Sequence, residues 1–310
     1  MEASKFSVIF NYRKRIAGAL ALTLGLKNGL HHLIPSGLFV PFNASLECSK
    51  YPIDHQIWLV RNVKRDLGIQ SDILPFVTTS PNVLCAGILA LAKWKSYPVV
   101  GIPKNFFCTN IFEVEDLNIK VHGNKNLDSA RSPNEKALLE SLIFSEAAQK
   151  FAVARQLIFL KDNWPIWNSL LSPFFVFLGY IACFFGPKIL FSKGRHVSLT
   201  HILQWQIFCI ITTWLFCKLT QAALQYLLVS STDQKAAKIS KQYAMGGIEY
   251  YENIRKCNRA WRVLCGSKGE RQFTTSGNEK DGIIMNWKGP SFTDRENRLK
   301  IILKNYDGVQ

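Results

Sequence analysis

Residues 165–187 read PIWNSLLSPFFVFLGYIACFFGP, and residues 197–217 read VSLTHILQWQIFCIITTWLFC. Neither run contains Asp, Glu, Lys or Arg. A helix of about 20 residues crosses the ~30 Å hydrocarbon layer of a bilayer, and each run is long enough to form one. A short basic turn, Lys188 to His196, separates them. The pattern predicts a helical transmembrane hairpin over residues 164–229, with water-exposed segments on both flanks.

The rest of the composition fits a mixed protein. The chain has 310 residues and a formal net charge of +16, and its mean hydropathy is near zero. That is too polar for a bundle of many spans. The positive excess is dispersed. Residues 41–165 carry 14 basic and 12 acidic groups, whereas residues 229–310 carry 15 and 9. The remainder lies in the first 40 residues and the hairpin turn. No dense basic patch with interleaved aromatics appears, which argues against a nucleic-acid groove. Two or three spans are few for a transporter, and neither run contains Asp, Glu, Lys or Arg, which argues against that class. None of the eight cysteines has C-x-x-C or zinc-site spacing, so free thiols are expected.

Outward from the hairpin, four segments are expected. Residues 1–40 are a targeting or anchor segment. Its start, MEASKFSVIFNYRKR, is basic and acid-poor like a mitochondrial targeting sequence. Residues 16–40 then read either as a third span or as a secretory signal, and the absence of a clear cleavage site favours a retained anchor. Residues 41–163 are an α/β soluble part. They hold an amphipathic helix over 52–68, strand-like runs at 73–79, 83–91, 97–102 and 117–121, and one long helix from Pro133, capped by Ser132, to Leu160. Residues 230–310 are a helical part packing on 41–163. It has a helix from Asp233 to about Lys256, a loop over 266–278 and a helix over 293–303. The expected fold class is therefore an α/β membrane protein, with a transmembrane hairpin inserted into one α/β domain.

Catalytic motifs are absent. The six histidines show no H-E-x-x-H spacing, and there is neither G-x-S-x-G nor a phosphate-binding glycine loop. No enzyme activity, cofactor or metal is expected. Gly246-Gly247 in mid-helix costs about 1 kcal/mol per glycine, which suggests close helix packing.

Six blocks carry a family resemblance. They are Val99-Val100-Gly101-Ile102-Pro103, Val121-His122-Gly123, Arg131-Ser132-Pro133, residues 148–155 (AQKFAVAR), residues 243–252 (YAMGGIEYYE) and residues 275–278 (TSGN). In this order, straddling the apolar runs, they resemble the transmembrane protein 177 family. The resemblance covers about residues 50–300. It implies a multi-pass protein of the mitochondrial inner membrane that stabilises newly made cytochrome c oxidase subunit II alongside its assembly chaperone. Its implied partners are those two proteins and the lipid bilayer. The motif residues that become candidates for partner binding or packing are Gly101, Pro103, Arg131, Pro133, Gln149, Phe151, Arg155, Gly246, Gly247, Glu249, Tyr251, Glu252, Gly277 and Asn278.

A fainter likeness is to integral-membrane zinc metallopeptidases, which share the order of parts. Where their H-E-x-x-H would fall, this chain has Ser145-Glu146-Ala147-Ala148-Gln149. Both imidazoles are missing, and a catalytic zinc usually needs three protein ligands. The alternative function is thus a membrane hydrolase of metallopeptidase type, or an inactive relative on a degenerate scaffold.

Overall fold

The computed structural model of the protein describes Thr23 and residues 53–78, 85–90, 96–117, 120–121, 125–126, 132–190, 199–280 and 289–307. Apart from Thr23, the expected anchor over 1–40 and the third span over 16–40 lie outside the described residues, as do Arg131 and the turn residues 191–196.

The chain divides into two compact units, one containing Pro165–Ala223 and the other Ile34–Trp164 with Leu224–Gln310. In the first unit, α5 (Trp164–Leu190) lies against the front of α6 (Leu199–Ala237). Small residues let the backbones approach, as in membrane helix pairs. A methyl group on Gly179 would lie 3.0 Å from Thr213, and one on Gly186 would lie 2.5 Å from Trp205 Nε1. The polar groups meet across the same contact. Trp205 Nε1 donates to the Ala182 carbonyl at 3.1 Å, and Gln221 Nε2 donates to Ser172 Oγ at 3.1 Å. The outer sides are apolar and exposed, including Phe174, Phe177, Phe185, Phe208, Ile211 and Trp214.

The second unit is built around α4 (Glu146–Lys161). Its hydrophobic residues are buried nearly all round: Phe151, Ala152, Val153, Ala154 and Leu157 are all at 0% exposure. A helix apolar on all sides is a central helix. It is covered by α1 (Ile53–Asp66), by strands of a small sheet and by α7 (Lys241–Leu264). The sheet has three strands, β1 (Leu74–Thr78), β2 (Cys85–Ala90) and β3 (Ser96–Pro103), in the order β1-β3-β2. Strand β3 is parallel to β1 (Leu74 opposite Val99) and antiparallel to β2 (Cys85 opposite Gly101). Beyond β3 come the short helix α2 (Ile111–Glu115), the two-residue strands β4 (Lys120–Val121) and β5 (Lys125–Asn126), and α3 (Pro133–Ser141). After α7 come α8 (Ser267–Gln272) and α9 (Phe292–Asp307).

The expected α/β membrane fold is corrected on three points. The described residues are predominantly helical, and the strand-like runs build only this small sheet and a two-residue ladder, not an α/β domain. Long helices occupy the chain from Pro133 onward, so burial of helix faces dominates the core. Secondly, one described helix, Thr200–Ala237, is long and apolar enough to cross a membrane, so the structure does not give a hairpin of two full spans. In α5 the stretch Leu170–Gly186 is a shorter apolar helix. Thirdly, the metallopeptidase-like scaffold falls with those two points, since it needs an α/β piece and a full hairpin.

Two helix boundaries also differ from expectation. The long helix from Pro133 breaks at Leu142–Ser145 into α3 and α4. Ser145 caps α4, its Oγ accepting from Ala148 N at 3.2 Å. Asn105 Nδ2 donates to the Leu142 carbonyl at 2.8 Å and satisfies the end of α3. Conversely, α6 runs straight through Ser230–Asp233, where a helix start is expected. The Thr232 hydroxyl donates back to the Leu228 and Val229 carbonyls, which keeps it inside the helix. The break falls later, and Ser240 caps α7 by accepting from Tyr243 N at 3.4 Å.

Candidate functional site

Four helices of the second unit each bring one polar side chain to a common buried point. Asp233 comes from the end of α6, Arg155 from α4, Tyr251 from α7 and Arg295 from α9. Asp233 and Tyr251 are buried at 3% and 0% exposure, and Arg295 at 8%. Arg295 grips the carboxylate with both arms of its fork, Nε to Oδ2 at 2.7 Å and Nη2 to Oδ1 at 3.1 Å. The Tyr251 hydroxyl donates to Oδ1 at 2.8 Å. Arg155 Nε forms a close ion pair with the same Oδ1. The Arg295 guanidinium lies 4.3 Å from the Tyr251 ring centre, and the Phe292 ring stacks on that of Tyr251 at 6.1 Å.

The electrostatics follow from this geometry. Burial alone would raise the Asp233 pKa. The attraction of Arg155 and Arg295, with their hydrogen bonds, outweighs it and holds the carboxyl below the usual range. Burial likewise opposes charge on Arg155, but the adjacent carboxylate keeps its pKa above that of an ordinary arginine. Burial pushes the Tyr251 hydroxyl well above the usual tyrosine value, the arginines countering only in part. Tyr251 therefore stays protonated and donates. The group is two cations and one anion at neutral pH.

A second ion pair continues the network. Arg255 and Lys300 both pair with Glu296 at 2.6 Å. Arg255 Nε donates to the Ser276 carbonyl, and Asn258 Nδ2 to that of Gly277 at 2.8 Å. Gly277 has φ +83°, and a side chain there would collide with the Arg255 carbonyl. Asn278 Oδ1 accepts from Thr293 N at 3.1 Å and so anchors the start of α9. Beside these groups a half-open cavity of about 320 Å³ is bounded by Arg155, Arg295, Tyr250, Tyr251 and Phe292, with Glu279 at its edge.

The motif residues singled out from sequence separate into distinct places. Arg155 and Tyr251 line the cavity. Phe151 packs edge-on against Tyr251 at 5.9 Å. Gly246 lies against the backbone of Ala147, and Gly247 beneath Phe151 and Leu299. Glu249 accepts from both Ser145 N at 2.9 Å and Ser145 Oγ at 2.5 Å. Gln149 donates to the Phe144 carbonyl at 3.0 Å. Gly277 and Asn278 form the turn that holds α9. Gly101 and Pro103 are buried on β3, Pro133 opens α3, and Glu252 pairs with Lys256 on the surface of α7; these four do not line the cavity. Sequence reasoning missed Asp233 and Arg295. Asp233 follows Ser-Ser-Thr and has the form of a helix cap, which hid it. Arg295 carried no signal beyond its place in a short helix after Pro290.

The profile of the family described as Transmembrane protein 177 matches residues 117–287. That is more than half of the chain. The chain belongs to the transmembrane protein 177 family. Transmembrane protein 177 of Homo sapiens is 28% identical over 255 residues, covering 74% of this chain and 78% of that protein. The Rattus norvegicus protein is 30% identical over 226 residues, covering 71% and 69%. The Danio rerio protein is 30% identical over 219 residues, covering 66% of each. No solved structure matches the chain. The segment matched to the family includes Arg155, Asp233 and Tyr251 and ends before Arg295. With the span-length apolar helix Thr200–Ala237, membership makes this a membrane-associated protein.

Proposed function

We propose that this chain is a multi-pass protein of the mitochondrial inner membrane that holds newly made cytochrome c oxidase subunit II, together with that subunit's assembly chaperone, and acts without catalysis. The family relationship and the implied role of the family support the client and the compartment. The observation that carries the holding role is the exposed apolar side of α6. Leu203, Ile207, Ile210, Ile211 and Trp214 are each at least half exposed. In a bilayer such a side meets lipid or the span of another protein. The polar side chains of Ser172 and Gln221 satisfy each other within the helix pair.

The test is crosslinking in intact mitochondria during labelling of newly made mitochondrial polypeptides. Radiolabelled subunit II should be recovered on the tagged chain, and the yield should fall when Ile207, Ile211 and Trp214 are changed together to Ala. Recovery of other labelled subunits but not subunit II would overturn the client assignment. For the non-enzymatic role, elemental analysis of the purified chain should find no stoichiometric metal, and a tightly held zinc ion would contradict it.

A further inference from the structure

We propose that Arg298, with Tyr226 and Ser230, binds the phosphate of an anionic phospholipid headgroup at the surface of the bilayer. The inference rests on α6 crossing the membrane, which carbonate washing reads separately, and not on the client. Depth along α6 sets the place. Gln221 pairs with Ser172, near the start of the shorter apolar stretch Leu170–Gly186 of α5. Tyr226 follows Gln221 on α6 and lies about 7.5 Å further along the axis at ~1.5 Å per residue. The headgroup layer adds roughly 5–8 Å on each side of a ~30 Å hydrocarbon core, so Tyr226 lies within it. The start of α9 comes to the same level, because a methyl group on Gly289 would touch Val229 at 3.7 Å. Side chains of a helix lean toward its N-terminus, and Arg298 runs that way. Its Nη1 donates to Ser230 Oγ, and its Nη2 donates to the Tyr226 hydroxyl, one turn nearer the apolar stretch. The guanidinium lies 5.1 Å from the centre of the Tyr226 ring. Both acceptors are neutral hydroxyls, and Arg298 forms no ion pair among the described residues. The neighbouring acids are engaged elsewhere. Asp294, one turn back on α9, accepts from Ser291 Oγ at 2.7 Å. Glu296 holds Arg255 and Lys300, and Asp233 holds Arg155 and Arg295. A guanidinium has five N–H donors, and two of these are used. The remainder suit a phosphate, which arginine binds through paired, charge-assisted bonds. Leu227, exposed beside Tyr226 on α6, gives the acyl chains an apolar contact. Lipid phosphate is already dense at this depth, whereas a carboxylate of a protein partner would have to enter the layer.

Purified full-length chain in a neutral detergent is titrated with short-chain phosphatidylglycerol, short-chain phosphatidylcholine, glycerol phosphate and polyglutamate, and thermal unfolding is followed throughout. Phosphatidylglycerol should raise the melting temperature saturably, and the other three should not. Arg298→Gln should weaken the phosphatidylglycerol response about fivefold, the share of one basic residue at an anionic surface. Arg298→Lys keeps the charge and should retain most of the response. If Arg298 only ties α9 to α6, Arg298→Gln will melt lower without lipid and respond to phosphatidylglycerol as the parent does, which would overturn the proposal. Should Arg298→Gln not fold, a phosphatidylglycerol with a diazirine beside its headgroup, applied to the unaltered chain, decides the matter. It must label the peptide containing Tyr226 and Ser230 more strongly than the matching phosphatidylcholine does. Equal labelling by the two lipids, an equal response to them, or no response to phosphatidylglycerol would each overturn the proposal. Saturation by glycerol phosphate would assign the site to a free phosphate, and a response to polyglutamate alone would assign it to an acidic polypeptide; either would overturn the lipid.

Discussion

Asp233 shows how much one buried charge can organise. Breaking a buried ion pair by removing one partner typically costs about 3–5 kcal/mol, because the other charge is stranded. Asp233→Asn strands two guanidinium groups, so denaturant unfolding should show a loss of at least about that size. The same residue sets a pH dependence. Its pKa is lower in the folded chain than in the unfolded one, so its contribution is complete above ~pH 4, the ordinary aspartate range. It drains away as pH falls through the depressed native value. Unfolding curves between pH 6 and pH 2 should show this acid loss in the parent chain, and a smaller loss in Asp233→Asn. A comparable loss in both would show that other carboxylates dominate. Gly246 makes a second residue-scale case. A methyl group there gains up to ~1 kcal/mol of helix propensity but runs into the Ala147 backbone. Backbone cannot yield as a side chain can, and overpacking costs about 1–3 kcal/mol. Gly246→Ala should therefore destabilise on balance, visible as a lower melting temperature.

At the scale of elements, the break between α3 and α4 is the clearest case of a boundary held from outside. Ser145 caps α4 and is itself gripped by Glu249 from α7. Ser145→Ala removes the cap and one of the two bonds to Glu249. An N-cap loss costs about 0.5–2 kcal/mol, and the variant should fall at the upper end. Glu249→Gln, which keeps an acceptor for the Ser145 N–H, should cost less. If the two variants were indistinguishable by thermal melting, Ser145 would matter only as a bridge to α7. The legibility of these elements was uneven. The start of α3 was plain from Ser132-Pro133, and the sheet strands from their apolar runs. The α3–α4 break was not, because its acceptor is Glu249, 104 residues away. The run Ser230–Asp233 misled for the converse reason. Its residue types favour a helix start, yet Thr232 bonds back into α6 and Asp233 faces partners from three other helices.

For the whole molecule, the distribution of burial makes predictions that no single element does. Cys108 is buried at 2% exposure. Burial, with the nearby Glu113 and Asp116 carboxylates, raises its thiol to about 11. Thiolate is the reactive form, so Cys108 should resist alkylation at pH 8 in the native chain and react after unfolding. Cys265, partly exposed, should react before Cys108 and Cys257, as peptide mapping after timed iodoacetamide treatment would show. Rapid native labelling of Cys108 would contradict the packing around it. Because α6 carries an exposed apolar side of membrane length, alkaline carbonate should leave the chain in the membrane pellet, and its release intact would contradict a spanning helix.

Sequence alone settled what depends on neighbours along the chain. The charge-free runs reported a lipid-facing helix, the spaced motifs reported the family, and residues such as Ser132 and Pro133 reported where a helix begins. The tertiary structure alone decided which strands amount to no more than a small sheet, and which polar residues converge. Asp233, Arg155, Tyr251 and Arg295 sit on four separate helices. Nothing in their local spacing records that folding brings them to one buried point, because long-range packing, not periodicity, selects the partners of a buried charge.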